Sequence, residues 1–130
     1  MVRYLTKEQI LLIHSMLIDE TGGSHGIRDH GTILGLEDFP RQSVFGKELY
    51  GTVFQKAAVY ARTIIFNHPF VDGNKRTAMT TALVFLENNG YRVTVETGVI
   101  ARFALRIIKK KLVLDAIALW FKQHTRRISE

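Results

Sequence analysis

Nine consecutive residues carry most of the chemistry this chain could perform: His68-Pro69-Phe70-Val71-Asp72-Gly73-Asn74-Lys75-Arg76. His68 can take up a proton near neutral pH and so act as a general base. Asp72 is a hard oxygen donor suited to Mg²⁺, which binds through few carboxylates and shares its remaining positions with substrate phosphates. Gly73 and Asn74 stand where a helix is predicted to begin. N–H groups there lack intrahelical acceptors and, with the helix dipole, form an anion site. Lys75 and Arg76 add two cations to that first turn. Exposed cations at a helix N-terminus are unfavourable by about 0.3–1 kcal/mol each. Their placement therefore points to an anion that normally fills the site, and a polyphosphate would engage the N–H groups, both cations and a metal together. Phe70 reads as a core anchor that fixes the loop. The reaction class is transfer of a phosphorus-containing group to a nucleophile that His68 deprotonates.

The elements that must hold this segment are helical. Thr6 and Gln9 form a capping box opening a helix to about Glu20, which Gly22-Gly23 ends. Asp29 is placed to cap a short helix ending before Pro40, and residues 41–49 read as irregular. Val53, Phe54, Ala57, Ala58, Ala61, Ile64 and Ile65 mark an amphipathic helix from about Tyr50 to Asn67. Pro69 biases His68 away from helical geometry. A second long helix runs from about Asn74 to Asn89, with Gly90 as a C-terminal signal. Tyr91–Val95 alternates like a short strand or hairpin arm but shows no partner. Two further helices are expected at about 97–110 and 113–125, the last burying Leu119 or Trp120. The expected fold class is all-α, with residues 1–130 as a single helical domain.

Composition narrows the function classes. The chain has 130 residues, 46% hydrophobic and 23% charged, which fits one folded core and not a disordered segment. Without cysteine there is no disulfide framework, cysteine-bound zinc or thiol nucleophile. No apolar stretch has signal-peptide or membrane-span character, so a cytoplasmic protein without a membrane partner is expected. The formal charge is +6, and all of it lies after residue 100. Residues 1–100 hold ten basic and ten acidic side chains, and residues 101–130 hold eight basic and two acidic ones. Arg102, Arg106 and Lys109/Lys110 share one face of the helix predicted there, opposite Ile100, Phe103/Ala104 and Ile107. That stripe is either a solvated face or a dock for an acidic partner. Nucleic acid is not expected, because no interleaved exposed aromatics or recognisable reader module accompany it.

The nine-residue segment matches the pattern His-x-Phe-x-Asp/Asn-Gly-Asn-Lys-Arg and so resembles the death-on-curing (Doc) toxins, a branch of the Fic superfamily. The flanks are similar too, from Gly22-Gly23-Ser24 to Gly31 upstream and from Thr77-Ala78 to Leu86-Glu87-Asn88-Asn89-Gly90 downstream. The resemblance covers roughly residues 5–125 and implies a Fic-like helical fold. It further implies the toxin of a toxin–antitoxin pair, using ATP or another NTP with Mg²⁺ to phosphorylate a threonine of translation elongation factor Tu. A separate antitoxin would be the partner. Carried over, His68 would be the general base and Asp72 the Mg²⁺ ligand. Gly73 and Asn74 would form the anion cradle, and Lys75 and Arg76 would bind nucleotide phosphates.

The wider Fic pattern, His-Pro-Phe-x-x-Gly-Asn-Gly-Arg-x-x-Arg, differs at two places. Its later glycine is Lys75 and its last arginine is Met79. A lysine fills space through which a phosphate chain could approach the backbone. Both differences argue against AMP transfer, which stands as the enzymatic alternative. A catalytically silent Fic-fold binding protein is the other. Elsewhere, His14 reads as a satisfied core or boundary histidine, His25 and His30 as loop residues, and Arg28-Asp29 as an ion pair or cap. The 41–49 segment is also read as a flap bringing Phe45 and Lys47 near the site.

Overall fold

The computed structural model describes residues 1–128, so Glu130 of the basic C-terminal stretch lies outside the described residues. The chain begins with α1 (Lys7–Thr21), α2 (His30–Gly35), a 3-10 turn (Phe39–Arg41) and the short strands β1 (Ser43–Val44) and β2 (Lys47–Glu48). Then come α3 (Val53–Asn67), α4 (Asn74–Asn88), β3 (Tyr91–Val93), α5 (Thr97–Lys110), α6 (Leu114–Gln123) and β4 (Thr125–Arg127). The fold is mainly α, as the periodicity predicts.

Local chemistry explains the helix limits. Thr6 and Gln9 close the predicted capping box on α1, and Gly22, at φ 74°, ends the helix with its N–H on the Ile18 carbonyl. The same box recurs at Thr52 and Gln55, so α3 starts at Val53 and not at Tyr50. α3 is the central element, lying between α4 and α6. Ala57, Ala58 and Ala61 on α3, with Ala78 and Ala82 on α4, are fully buried. These small side chains let the two axes that flank the His68–Gly73 loop approach closely. Tyr60 is buried beside them; its hydroxyl accepts the Leu5 N–H, and burial pushes its pKa up to about 12. α5 is fastened to α6 by Phe103, which stacks on Trp120 at 4.1 Å and 6°. Trp120 is thus the buried residue of α6, while Leu119 is half exposed.

Two expectations need correction. The strand at Tyr91–Val93 does have a partner, β4, paired antiparallel with Tyr91 opposite Arg127 and Val93 opposite Thr125. The partner comes from the far end of the chain, where no local signal marks it. Residues 41–49 are not irregular but form the β1–β2 hairpin, with Phe45 (φ 50°) and Gly46 (φ 78°) turning between the strands. Two successive left-handed residues suit the right-handed strand twist. His68 leaves the right-handed helical region before Pro69, as expected, and adopts the left-handed conformation at φ 47°, ψ 58°.

One buried charge had no sequence signal. Lys56, fully buried on α3, directs its ammonium to Glu48 Oε1 at 3.0 Å, the Pro40 carbonyl at 3.4 Å and the Tyr50 carbonyl. It ties the base of the β1–β2 hairpin to the central helix.

Candidate active site

The loop between α3 and α4 is held at nearly every backbone polar group. The N–H of His68 reaches the Ile64 carbonyl, and Arg28 Nε donates to the His68 carbonyl at 3.1 Å. The Pro69 carbonyl accepts from the N–H groups of Arg28 (2.7 Å) and Asp29 (3.0 Å). Phe70 is 1% exposed, and both its backbone groups are taken by the Asn74 carboxamide. The Val71 N–H donates to the Gly26 carbonyl, and His14 Nε2 donates to the Asp72 carbonyl. A left-handed conformation at a non-glycine residue costs of order 1–3 kcal/mol and persists only where surroundings over-determine it. His68 meets that condition.

Arg28 and Asp29 therefore act separately. Asp29 caps α2, with Oδ1 accepting the Thr32 N–H and Oδ2 the Thr32 hydroxyl. The hydroxyl bond first, then the N–H bond, hold its carboxyl below the usual 3.8. The Thr32 hydroxyl also accepts from Asn67, the residue before His68, so the α2 cap reaches the end of α3. His25 pairs with Asp19 at 2.8 Å on the surface.

Asp72 sits in a tight cradle. Its Oδ1 accepts the Gly73 N–H at 2.8 Å and its Oδ2 the Ser24 N–H at 3.1 Å. A Cβ on Gly23 would come within 2.6 Å of Oδ2, so any side chain there would push the carboxylate out of its present position. Gly73 caps α4 at φ 77°, which again favours glycine. Its N–H belongs to Asp72. The free cradle amides are therefore those of Asn74, Lys75 and Arg76, since the first helical bond runs from the Thr77 N–H to the Gly73 carbonyl. Asn74 contributes its backbone to this cradle while its side chain grips the loop.

His68, Asp72, Gly73, Asn74, Lys75 and Arg76 all line one cavity of about 870 Å³. Met79 and Leu83 of α4 continue its wall, α5 closes it with Ile100, Ala104, Leu105 and Ile108, and Leu17 and Glu20 of α1 stand at its edge. The hairpin does not reach it: Phe45 and Lys47 are absent from the lining, and Phe45 is fully solvent-exposed. A second cleft, of about 730 Å³ between α3, α6 and the β3–β4 pair, contains none of these residues.

Lys75 and Arg76 are exposed and have no acidic partner within 4.0 Å among the described residues. Two unneutralised cations over free helix N–H groups are chemically suited to a phosphate. The Asp72 carboxylate fits a Mg²⁺ ion shared with phosphates. Each oxygen accepts one backbone N–H and keeps a further lone pair, and the group lines the same cavity. Sequence reasoning named Ser24 in a matching flank and read Arg28 as part of an ion pair or cap, but missed that both grip this loop, and it missed the α5 wall. The glycine-rich run at 22–26 was the one available hint of those two contacts.

The sequence profile of the Fic/DOC family matches residues 4–86. A protein named Toxin Doc from Mycolicibacterium smegmatis is 34% identical over 99 residues, covering 76% of this chain and 74% of that protein. A protein named Protein kinase doc from Escherichia phage P1 is 32% identical over 92 residues, covering 71% of this chain and 72% of that protein. No helix among the described residues is long and apolar enough to cross a membrane.

Proposed function

The chain belongs to the Fic/DOC family, on its Doc branch, and we propose that it is the toxin of a toxin–antitoxin pair. In this reading it acts in the cytoplasm and transfers the terminal phosphate of ATP or another NTP to a threonine hydroxyl of a translation elongation factor. Protein synthesis then stops. The observation that carries the reading is the meeting of His68, Asp72, Lys75 and Arg76 at one cavity, beside the free N–H groups of α4. The kinase named among the relatives supports phosphoryl transfer.

The residues divide the work. The amides of Asn74, Lys75 and Arg76 and the two cationic side chains hold the polyphosphate and accept the charge that builds on it during transfer. Asp72 would hold Mg²⁺, which would supply charge neutralisation and orientation to the phosphates. His68 accepts the proton of the attacking hydroxyl as its oxygen bonds to the γ-phosphorus. The bond to the β,γ-bridging oxygen breaks and the nucleoside diphosphate leaves. Lys75 and the buried, apolar Met79 stand where the AMP-transferring pattern has glycine and arginine, so the phosphate clamps of that reaction are incomplete here.

The antitoxin fits α5. Arg102, Arg106, Lys109 and Lys110 are exposed along it, bordering Ala101, Leu105 and Ile108, which line the cavity. An acidic amphipathic segment would match both strips. The functional test is induced expression of the chain in cells while amino-acid incorporation is followed. Wild type should stop incorporation, and His68→Ala should not. Equal arrest by both would remove His68 from the chemistry.

A further inference from the structure

We propose that His14 is a positioning residue for Asp72, holding the carboxylate and the start of α4 in register for a metal–nucleotide complex. The proposal rests on the reading of Asp72 given above.

His14 lies in the middle of α1 and is 4% exposed. Its ring stacks on Phe70 with centroids 3.8 Å apart and planes 8° from parallel. Its Nε2 lies 2.8 Å from the Asp72 carbonyl oxygen, 58 residues away in sequence. A carbonyl only accepts, so Nε2 carries a hydrogen. A histidine filling core space would need neither the stack nor the bond; here the two together fix the ring in its plane and aim its N–H.

The carbonyl it holds is a sensitive one. The peptide from Asp72 to Gly73 carries both the Asp72 carbonyl and the Gly73 N–H, and that N–H binds the Asp72 Oδ1. Gly73 is left-handed at φ 77°, and glycine populates either sign of φ readily. The peptide is therefore free to rotate unless something outside it holds the carbonyl. His14 supplies that restraint from α1, while Ser24 restrains Oδ2. Releasing the carbonyl lets the Oδ1 partner swing, and with it the carboxylate and the α4 entrance. Partners that orient a metal ligand without touching the metal typically alter affinity by about 10–100-fold when removed.

The test uses the full chain, Mn²⁺ as probe and a non-hydrolysable ATP analogue, with metal binding read by electron paramagnetic resonance. His14→Phe keeps an aromatic ring on Phe70 and removes the N–H. His14→Gln returns a donor at similar reach. His14→Phe should weaken Mn²⁺ binding about 10-fold or more, with metal-free nucleotide binding unchanged, and His14→Gln should recover most of it. Wild-type affinity in His14→Phe would overturn the proposal, and so would a failure of His14→Gln to recover. Absence of Mn²⁺–nucleotide binding in wild type would instead overturn the reading of Asp72. If His14→Phe does not fold, exchange of the His14 imidazole proton in wild type decides. Slow exchange by NMR is expected, and exchange as fast as for an exposed imidazole overturns the proposal.

Discussion

Asn74 holds Phe70 with both ends of its carboxamide, Oδ1 accepting the Phe70 N–H and Nδ2 donating to the Phe70 carbonyl, each at 2.9 Å. The loop between α3 and α4 is thus closed by a side chain from the helix it leads into. Asn74→Asp preserves size and one bond but loses the donor to the carbonyl. The lost bond should cost about 1–3 kcal/mol, since it leaves a part-buried acceptor unpaired. Asn74→Ala should cost more. Urea denaturation checks both, and a smaller loss in alanine than in aspartate would contradict the reciprocal clamp.

Neither partner of the Lys56–Glu48 pair should be removable cheaply. Glu48 is about half exposed, but Glu48→Ala leaves the fully buried Lys56 ammonium without its counter-charge and should cost about 3–5 kcal/mol. Lys56→Ala leaves no buried charge; it strands the Pro40 and Tyr50 carbonyls and opens space beside α3, and should cost about 2–5 kcal/mol. Chemical denaturation of the two variants decides. A loss under about 1 kcal/mol for Glu48→Ala would mean that the two carbonyls alone satisfy the buried ammonium.

The Asp29 cap sets an acid limb. Its folded pKa lies below the unfolded value of 3.8, because the charged form accepts the Thr32 hydroxyl and N–H. On acidification the unfolded state takes the proton first. The contribution is therefore complete above pH 3.8 and is lost as pH falls through the folded value. Thermal unfolding from about pH 5 down to about pH 2.5 should fall more steeply for wild type than for Asp29→Asn. Parallel curves would show that the cap does not report on Asp29 ionisation.

The α5 row should govern partner docking and leave nucleotide binding alone. Replacing Arg102, Arg106 and Lys110 by Glu should slow association with the antitoxin and remove its salt dependence, as rim charges act mainly on encounter. Surface plasmon resonance against the antitoxin and titration with nucleotide give the two readouts. Loss of nucleotide binding in this variant would contradict the separation of the two regions.

Much of this site could be read along the chain because it is local. The base, the carboxylate, the helix start and the two cations fall within nine residues, between two helices with strong apolar periodicity. The Thr6–Gln9 box and the Asp29 cap also act over three residues. What escaped was contributed from a distance. β4 pairs with β3 across the whole of α5 and α6. His14, Ser24 and Arg28 reach the loop from 40 residues away or more. A lysine inside an apolar helix face gives no hint that three oxygens await it. The left-handed turn at Phe45-Gly46 was locally encoded, yet Phe at a left-handed position is too uncommon to signal a hairpin.

Whether the terminal phosphate or AMP moves to a protein hydroxyl is read directly from which phosphorus is transferred. Purified chain is incubated with cell extract, Mg²⁺ and ATP labelled at either the α- or the γ-phosphorus, with His68→Ala alongside. Protein labelling is expected from the γ-position only, and none with His68→Ala. Labelling from the α-position would contradict transfer of the terminal phosphate.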